Sequence, residues 1–396
     1  MSAHGGRLRG GPVANLTLAA GSLLLTLGIL EVAARMLRER PDEQIASQYT
    51  EFDPLLGWRH KKGARVRFPQ GDYAINSLGL RDRERRYDVA AGTFRVLVLG
   101  DSFAEGFSVA LDDSVARVLE RSLDRPDCPT EVIAAGMVGY STDQEYLFYR
   151  EEGVRFAPQA VLLFFYYNDI VYNARESVGR APKPLLTFKG GAPRLKTSPL
   201  TEPGQDQGGP PGAGGSLALA WARERLLAGA PRAYDAIAAV GLAPRREPVR
   251  AGAELLVYSR DPPREVQDAW AQTLNVLRAL RDETVKHGAR LLLVYVPSKM
   301  EVSERDWELT RLRYRIDERS WDRRQVARWL LEAGRALGIE ILDTTDGLRR
   351  QERGPVQSTY HAGGGHWNPL GHATAALEVE NALRRTGVLP DCARRP

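Results

Sequence analysis

The chain predicts an α/β fold built on a five-stranded parallel sheet. Two observations carry that expectation. Short apolar runs rich in β-branched residues recur along the chain, and amphipathic stretches of helical length separate them. A strand, helix, strand repeat needs crossover connections, which place helices on both faces of the sheet.

The first run, FRVLVLG (94–100), is apolar throughout rather than alternating, as suits a strand buried on both faces, and it ends in glycine. TEVIAAG (130–136), QAVLLFFYY (159–167), ARLLLVYV (289–296) and GIEILD (338–343) supply the other four strands. Helical stretches at 113–124, 142–153, 264–287 and 321–337 lie between them. Residues 177–258 break the alternation and read as an insertion, a lid or a wall beside the substrate. Within it, PGQDQGGPPGAGG (203–215) cannot pack a core and is expected to be disordered.

Ahead of the sheet, residues 1–12 form a short tail. VANLTLAAGSLLLTLGIL (13–30) is uncharged and 18 residues long, about the minimum for spanning a bilayer. No small-x-small cleavage site follows before Arg35, so 13–37 reads as an uncleaved signal anchor, with a cleaved signal peptide as the alternative. Arg7 and Arg9 precede the run, and Arg35, Arg38 and Arg40 follow it. That count slightly favours a cytoplasmic domain, but large domains translocate largely regardless of flanking charge. The expectation is therefore a membrane-anchored protein with its main domain outside the cytoplasm. Residues 41–92 read as a small β appendage, with DPLLGWRHKKGARVRF and YAINSLGLRD forming strands and turns and Asn76 to Gly79 supplying turn chemistry.

Composition excludes some classes. The 396 residues are 43% hydrophobic and 8% aromatic, enough for a core. The net charge of +5 is scattered, with no basic stripe interleaved with aromatics, so nucleic acid is not an expected partner. Cys128 and Cys392 are too few for a disulfide framework. They could pair in an oxidising compartment or stand as two thiols.

In an open parallel sheet, ligands bind outside the carboxyl ends of the strands. There the sequence places Gly100-Asp101-Ser102-Phe103 after the first strand, Gly139 after the second, Asn168-Asp169 after the third and His366 after the fifth. A serine at a strand-to-helix turn becomes a nucleophile once a base takes its proton. His366 is the candidate base and then acid. The N–H groups of Ser102 and Gly139 and the amide of Asn168 are candidate donors to an oxyanion. Asp101 reads as a helix N-cap. His361, His366 and His372 fit no common metal-ligand spacing, so no metal or other cofactor is expected. His372 is expected to pack or cap the last helix, and Trp270, Trp321 and Trp329 to pack helices. Trp367, next to His366, is a candidate to line the substrate pocket.

These four blocks resemble those of the SGNH/GDSL hydrolase superfamily, in order and in outline over 94–388. DPLLGW (53–58) and INSLGLRD (75–82), with the anchor, resemble a bacterial membrane-anchored subgroup. The resemblance implies a flavodoxin-like three-layer α/β/α sandwich over 93–390. It also implies ester hydrolysis or acyl transfer, with Ser102 as nucleophile, Gly139 and Asn168 completing the oxyanion hole, and His366 as base. The family pattern has an aspartate where Gly363 or Gly364 stands here. Three readings follow: a Ser102–His366 dyad, a substitute carboxylate from Asp343 or Asp346, or a degenerate site. The expected substrate is an acyl ester, extending to O-acetyl groups on envelope glycans. The alternatives are O-acyl transfer onto such glycans, or a non-catalytic carbohydrate-binding or assembly role.

Overall fold

The structure, a computed structural model, describes residues 48–68, 71–179, 181–202, 216–243, 252, 254–353, 357–362 and 364–390, and, nearer the N-terminus, 21, 22, 25, 26 and 28–32. The expected anchor at 13–37 lies largely outside these residues, and the segment 203–215 wholly so. Among the described residues no helix is long and apolar enough to cross a membrane.

The chain forms two compact units: Met1–Ile45 with Gln207–Arg246, and Ala46–Asp206 with Glu247–Pro396. The first holds helical residues between 21 and 32 and the helices Leu217–Gly229 and Pro231–Ala239. Ser216 caps the first of these helices and also donates to Glu31 at 2.7 Å. That carboxylate accepts from the Ala218 N–H at 3.1 Å, where the helix dipole favours negative charge.

The second unit opens with two antiparallel pairs, β1 (Thr50–Asp53) with β2 (Gly57–His60) and β3 (Arg65–Phe68) with β4 (Gly71–Ala74). Asn76 then builds the expected turn, its side chain accepting from the Leu78 and Leu80 N–H groups around Gly79, whose φ is +86°. The main sheet takes β5 (Phe94–Gly100), β6 (Thr130–Gly136) and β7 (Ala160–Phe165). Small hairpins β8 (Ser177–Val178) with β9 (Ala181–Pro182) and β10 (Leu186–Lys189) with β11 (Ala192–Leu195) follow. β12 (Arg290–Tyr295) and β13 (Glu340–Asp343) complete the sheet.

The five strands expected from the sequence run parallel in the order β13-β12-β7-β5-β6. This is the doubly wound arrangement in which the first strand sits between the second and third, so the order reverses beside it. Their continuous hydrophobicity has a direct cause. Leu97 and Leu99 of β5, Leu163 of β7 and Leu293 of β12 face helices Thr142–Glu151, Arg264–Lys286 and Gln325–Leu337. Val96, Val98, Leu162 and Leu292 face the opposite way, toward helices Val115–Leu123 and Pro369–Arg385. The middle positions of β5, β7 and β12 are buried on both faces, so they are apolar in either direction. Polar residues such as Arg290 sit at strand ends, and buried Arg95 bonds to backbone carbonyls and Glu131.

β6 is an edge strand, and side chains satisfy its outer backbone. The Val132 N–H donates to Glu120 at 2.7 Å and the Ala134 N–H to Asp82 at 3.0 Å. The Val132 carbonyl accepts from Arg85 at 3.1 Å and from Arg117. Arg117 pairs with Asp82 at 3.2 Å with both side chains fully buried. Asp82 of INSLGLRD, with Arg85, Arg117 and Glu120, thus closes an edge that would otherwise pair with another chain. Cys128, just before β6, is buried and disulfide-bonded.

Candidate active site

Gly100 ends β5 with φ +149°. A β-carbon there would lie 2.7 Å from Ala104 Cβ and 2.9 Å from the Phe164 carbonyl oxygen, so only glycine fits. Asp101 caps the short helix Ser102–Glu105 by accepting from the Phe103 N–H at 2.9 Å, as its N-cap reading expects. That helix lies against the end of β6: a β-carbon on Gly136 would come within 2.2 Å of the Glu105 nitrogen. The close approach sets Ser102 at the rim of the sheet.

Ser102 Oγ and His366 Nε2, 264 residues apart in the chain, are 2.8 Å apart. The His366 ring packs beside Phe103 and Phe107, with ring centroids at 5.3 and 5.6 Å. Burial, and then the neighbouring His361, lowers its pKa below the ordinary 6.5, so the ring is neutral near pH 7. With its proton on Nδ1, it accepts the Ser102 hydroxyl hydrogen at Nε2.

The loop carrying His366 is tied down on both sides. Trp367 is fully buried against Phe103 and Phe164, so it is a core plug and not part of a substrate pocket. Asn368 caps the last helix by accepting from the Gly371 N–H at 3.0 Å, with Pro369 at its first position. His372 is buried, and burial lowers its pKa to about 3. Its Nδ1 accepts from the Val115 N–H at 3.3 Å, so it caps helix Val115–Leu123 rather than its own.

Gly139 and Asn168 follow β6 and β7, the strands on either side of β5. Gly139 takes φ +78° in the turn after β6, where the Tyr140 N–H donates to the Met137 carbonyl. Asn168 opens the helix Asn168–Tyr172, and its Oδ1 is buried with no partner among the described residues. Three buried carboxyls adjoin these elements. Burial raises Asp101 to about 7. It pushes Glu145 and Asp169 well above the carboxylate range, helped by the charges of their acidic neighbours.

Gly363 lies outside the described residues, and Gly364 is exposed with open space around its β-carbon position. Neither suggested substitute reaches the ring. Asp343 accepts from the Thr345 backbone and hydroxyl and pairs with Arg324. Asp346 is largely exposed, with Arg349 at 4.0 Å. Among the described residues, the ring's one hydrogen bond is to Ser102.

Sequence reasoning assigned no role to Trp58, His60 or Glu105, which surround the turn holding Gly139. Glu105 accepts from the Val138 N–H at 2.5 Å and meets His60 Nε2 at 2.9 Å. Trp58 Nε1 donates to the Val138 carbonyl at 2.9 Å. Glycine at 139 is the local signal, because the partners come from distant segments, Trp58 and His60 from β2 and Glu105 from the helix Ser102–Glu105.

No curated protein matches the chain. Among solved structures it is similar to the acetylxylan esterase Axe2 from Geobacillus stearothermophilus (13% identity, TM-score 0.39, 76% of this chain and 99% of that one). It is similar to the lipase/acylhydrolase from Enterococcus faecalis (13% identity, TM-score 0.37, 75% and 97%). It is likewise similar to TesA (12% identity, TM-score 0.39, 74% and 99%). Residues 98–374 match the GDSL-like Lipase/Acylhydrolase family. That match spans more than half of the chain, which belongs to the GDSL-like lipase/acylhydrolase family.

Proposed function

We propose that the protein is a serine esterase that cleaves an acyl ester through a Ser102–His366 dyad. The observation that carries this reading is the 2.8 Å contact between Ser102 Oγ and His366 Nε2. The neutral ring takes the hydroxyl proton as Ser102 Oγ attacks the acyl carbon. The carbonyl π pair moves onto oxygen, and the N–H groups of Ser102 and Gly139 with the Asn168 amide receive that charge. His366 returns the proton to the leaving alcohol as the C–O bond breaks, leaving an acyl-serine. Water, deprotonated by the same ring, releases the acid and frees Ser102. A glycan hydroxyl in place of water makes the same steps an O-acyl transfer.

In this proposal residues 13–37 anchor the protein in a membrane through the apolar run 13–30, residues 41–92 lead into the domain, and 93–390 form the catalytic body with its insertion at 177–258. The domain faces away from the cytoplasm. The Cys128 disulfide supports that placement, since such bonds persist in oxidising compartments. Acylated envelope glycans are the substrates within reach there.

A fluorophosphonate probe tests the reaction. Ser102-dependent labelling of the wild type is expected, with none in Ser102→Ala. Equal labelling of the two would remove Ser102 as nucleophile. Release of free acetate from an acetylated glycan, against its appearance on an added acceptor, separates hydrolysis from transfer.

A further inference from the structure

Glu105 closes the four-residue helix that Ser102 opens, and it is 1% exposed. Its Oε2 accepts from the N–H of Val138, the residue before Gly139, at 2.5 Å. Its Oε1 meets His60 Nε2 at 2.9 Å, and the other ring nitrogen of His60 faces the Gly79 carbonyl at 3.2 Å. Trp58, on the same strand as His60, reaches the same turn. Its Nε1 donates to the Val138 carbonyl at 2.9 Å, and its Cζ2 lies 3.4 Å from where a β-carbon on Gly139 would stand. The Tyr140 hydroxyl donates to the Trp58 carbonyl at 2.6 Å, and the two rings meet edge-on at 5.6 Å.

Both backbone polar groups of Val138 are therefore held by side chains rather than by the ladder or by water. The Val138 carbonyl and the Gly139 N–H belong to one planar peptide group and point in opposite directions. Fixing the carbonyl on Trp58 fixes the direction of the Gly139 N–H. Fixing the Val138 N–H on Glu105 pins the preceding peptide plane as well. An oxyanion donor helps only if it already points at the developing charge, and a glycine turn is otherwise free to reorient.

We propose that Trp58 and Glu105 are positioning residues that aim the Gly139 N–H, so that strand β2 is a working part of the active site. This rests on the reading of Ser102 as nucleophile and Gly139 as oxyanion donor. Glu105 couples the two, because its backbone ends the Ser102 helix while its side chain holds the donor turn.

Trp58→Phe, Glu105→Ala and Glu105→Gln in the full chain test it, with p-nitrophenyl acetate turnover and amide hydrogen exchange of the 137–141 segment as readouts. Trp58→Phe keeps an aromatic ring and loses the N–H. It should lower kcat about 10-fold with KM within about 2-fold, and Glu105→Ala should lower kcat about 30-fold. Glu105→Gln keeps an acceptor for Val138 and should stay within about 3-fold of wild type. Exchange at 137–141 should quicken in Trp58→Phe and Glu105→Ala and not in Glu105→Gln. Wild-type kcat with unchanged exchange in Trp58→Phe and Glu105→Ala would overturn the proposal, as would a Glu105→Gln variant no better than Glu105→Ala. Should Glu105→Ala fail to fold, Trp58→Phe decides. If the wild type shows no Ser102-dependent turnover, the esterase reading fails, and exchange alone decides whether these side chains hold the turn.

Discussion

Around Gly139, a tryptophan and a buried glutamate hold both backbone groups of the preceding residue. Around His366, the ring meets Ser102 on one side and two tilted phenylalanine rings beside it, and exposed glycines precede it. The donor side is thus fixed by hydrogen bonds inside the protein. The base side is fixed by packing and by its flanks, with Trp367 plugged into the core and Asn368 capping the next helix. The contrast teaches where such a site keeps its preorganisation. In the proposed mechanism the turn that would stabilise charge is held in place, whereas among the described residues no carboxylate is bonded to the ring.

The comparison can be broken from either side. His366→Ala should lower kcat/KM by at least about 10³-fold in an ester hydrolysis assay, because among the described residues the Ser102 hydroxyl bonds to no other base. A loss under about tenfold would mean that the ring is not the base. On the donor side, Asn168→Ala should lower kcat about 10²-fold with little change in KM, as for removal of one oxyanion donor. Equal changes in kcat/KM and KM would instead assign Asn168 to ground-state binding.

It can also be sharpened. Gly364→Asp adds a carboxylate where the structure leaves room, and it should raise kcat/KM about 10-fold, well short of the full triad effect. An unchanged rate would mean that the ring is already held as well as a carboxylate could hold it. The smallest effect is in the pH profile. The neutral ring is the base, so kcat/KM should fall as pH drops through the His366 pKa. Burial places that midpoint below the ordinary 6.5. Gly364→Asp should move the midpoint upward, because a nearby negative charge favours the imidazolium. A midpoint above 6.5 in the wild type would contradict a desolvated ring.

Much of the fold was legible in the chain itself. Five apolar runs mark the five strands, since a strand covered on both faces is apolar over most of its length. Helix ends were legible within about two residues at 113–124 against Val115–Leu123 and at 142–153 against Thr142–Glu151, whereas 321–337 starts four residues ahead of Gln325–Leu337. Ser102, Gly139, Asn168 and His366 stood out because each follows a strand, and the sheet order places the loops of β5, β6 and β7 side by side. The burial of Trp367 was not legible from its neighbour His366, because it depends on Phe103 of the Ser102 helix and Phe164 of β7.

By itself the sequence determined the parallel sheet, the glycines that let Ser102 sit at its rim and the order of the polar loops, because each depends on neighbours close along the chain. Only the tertiary structure decided what steadies those loops. Glu105 meets Val138 across 33 residues and Trp58 meets it across 80. Ser102 meets His366 across 264. Such contacts leave no periodicity to read, since a hydrogen bond between distant segments exists only after strand order and packing have brought its two ends together.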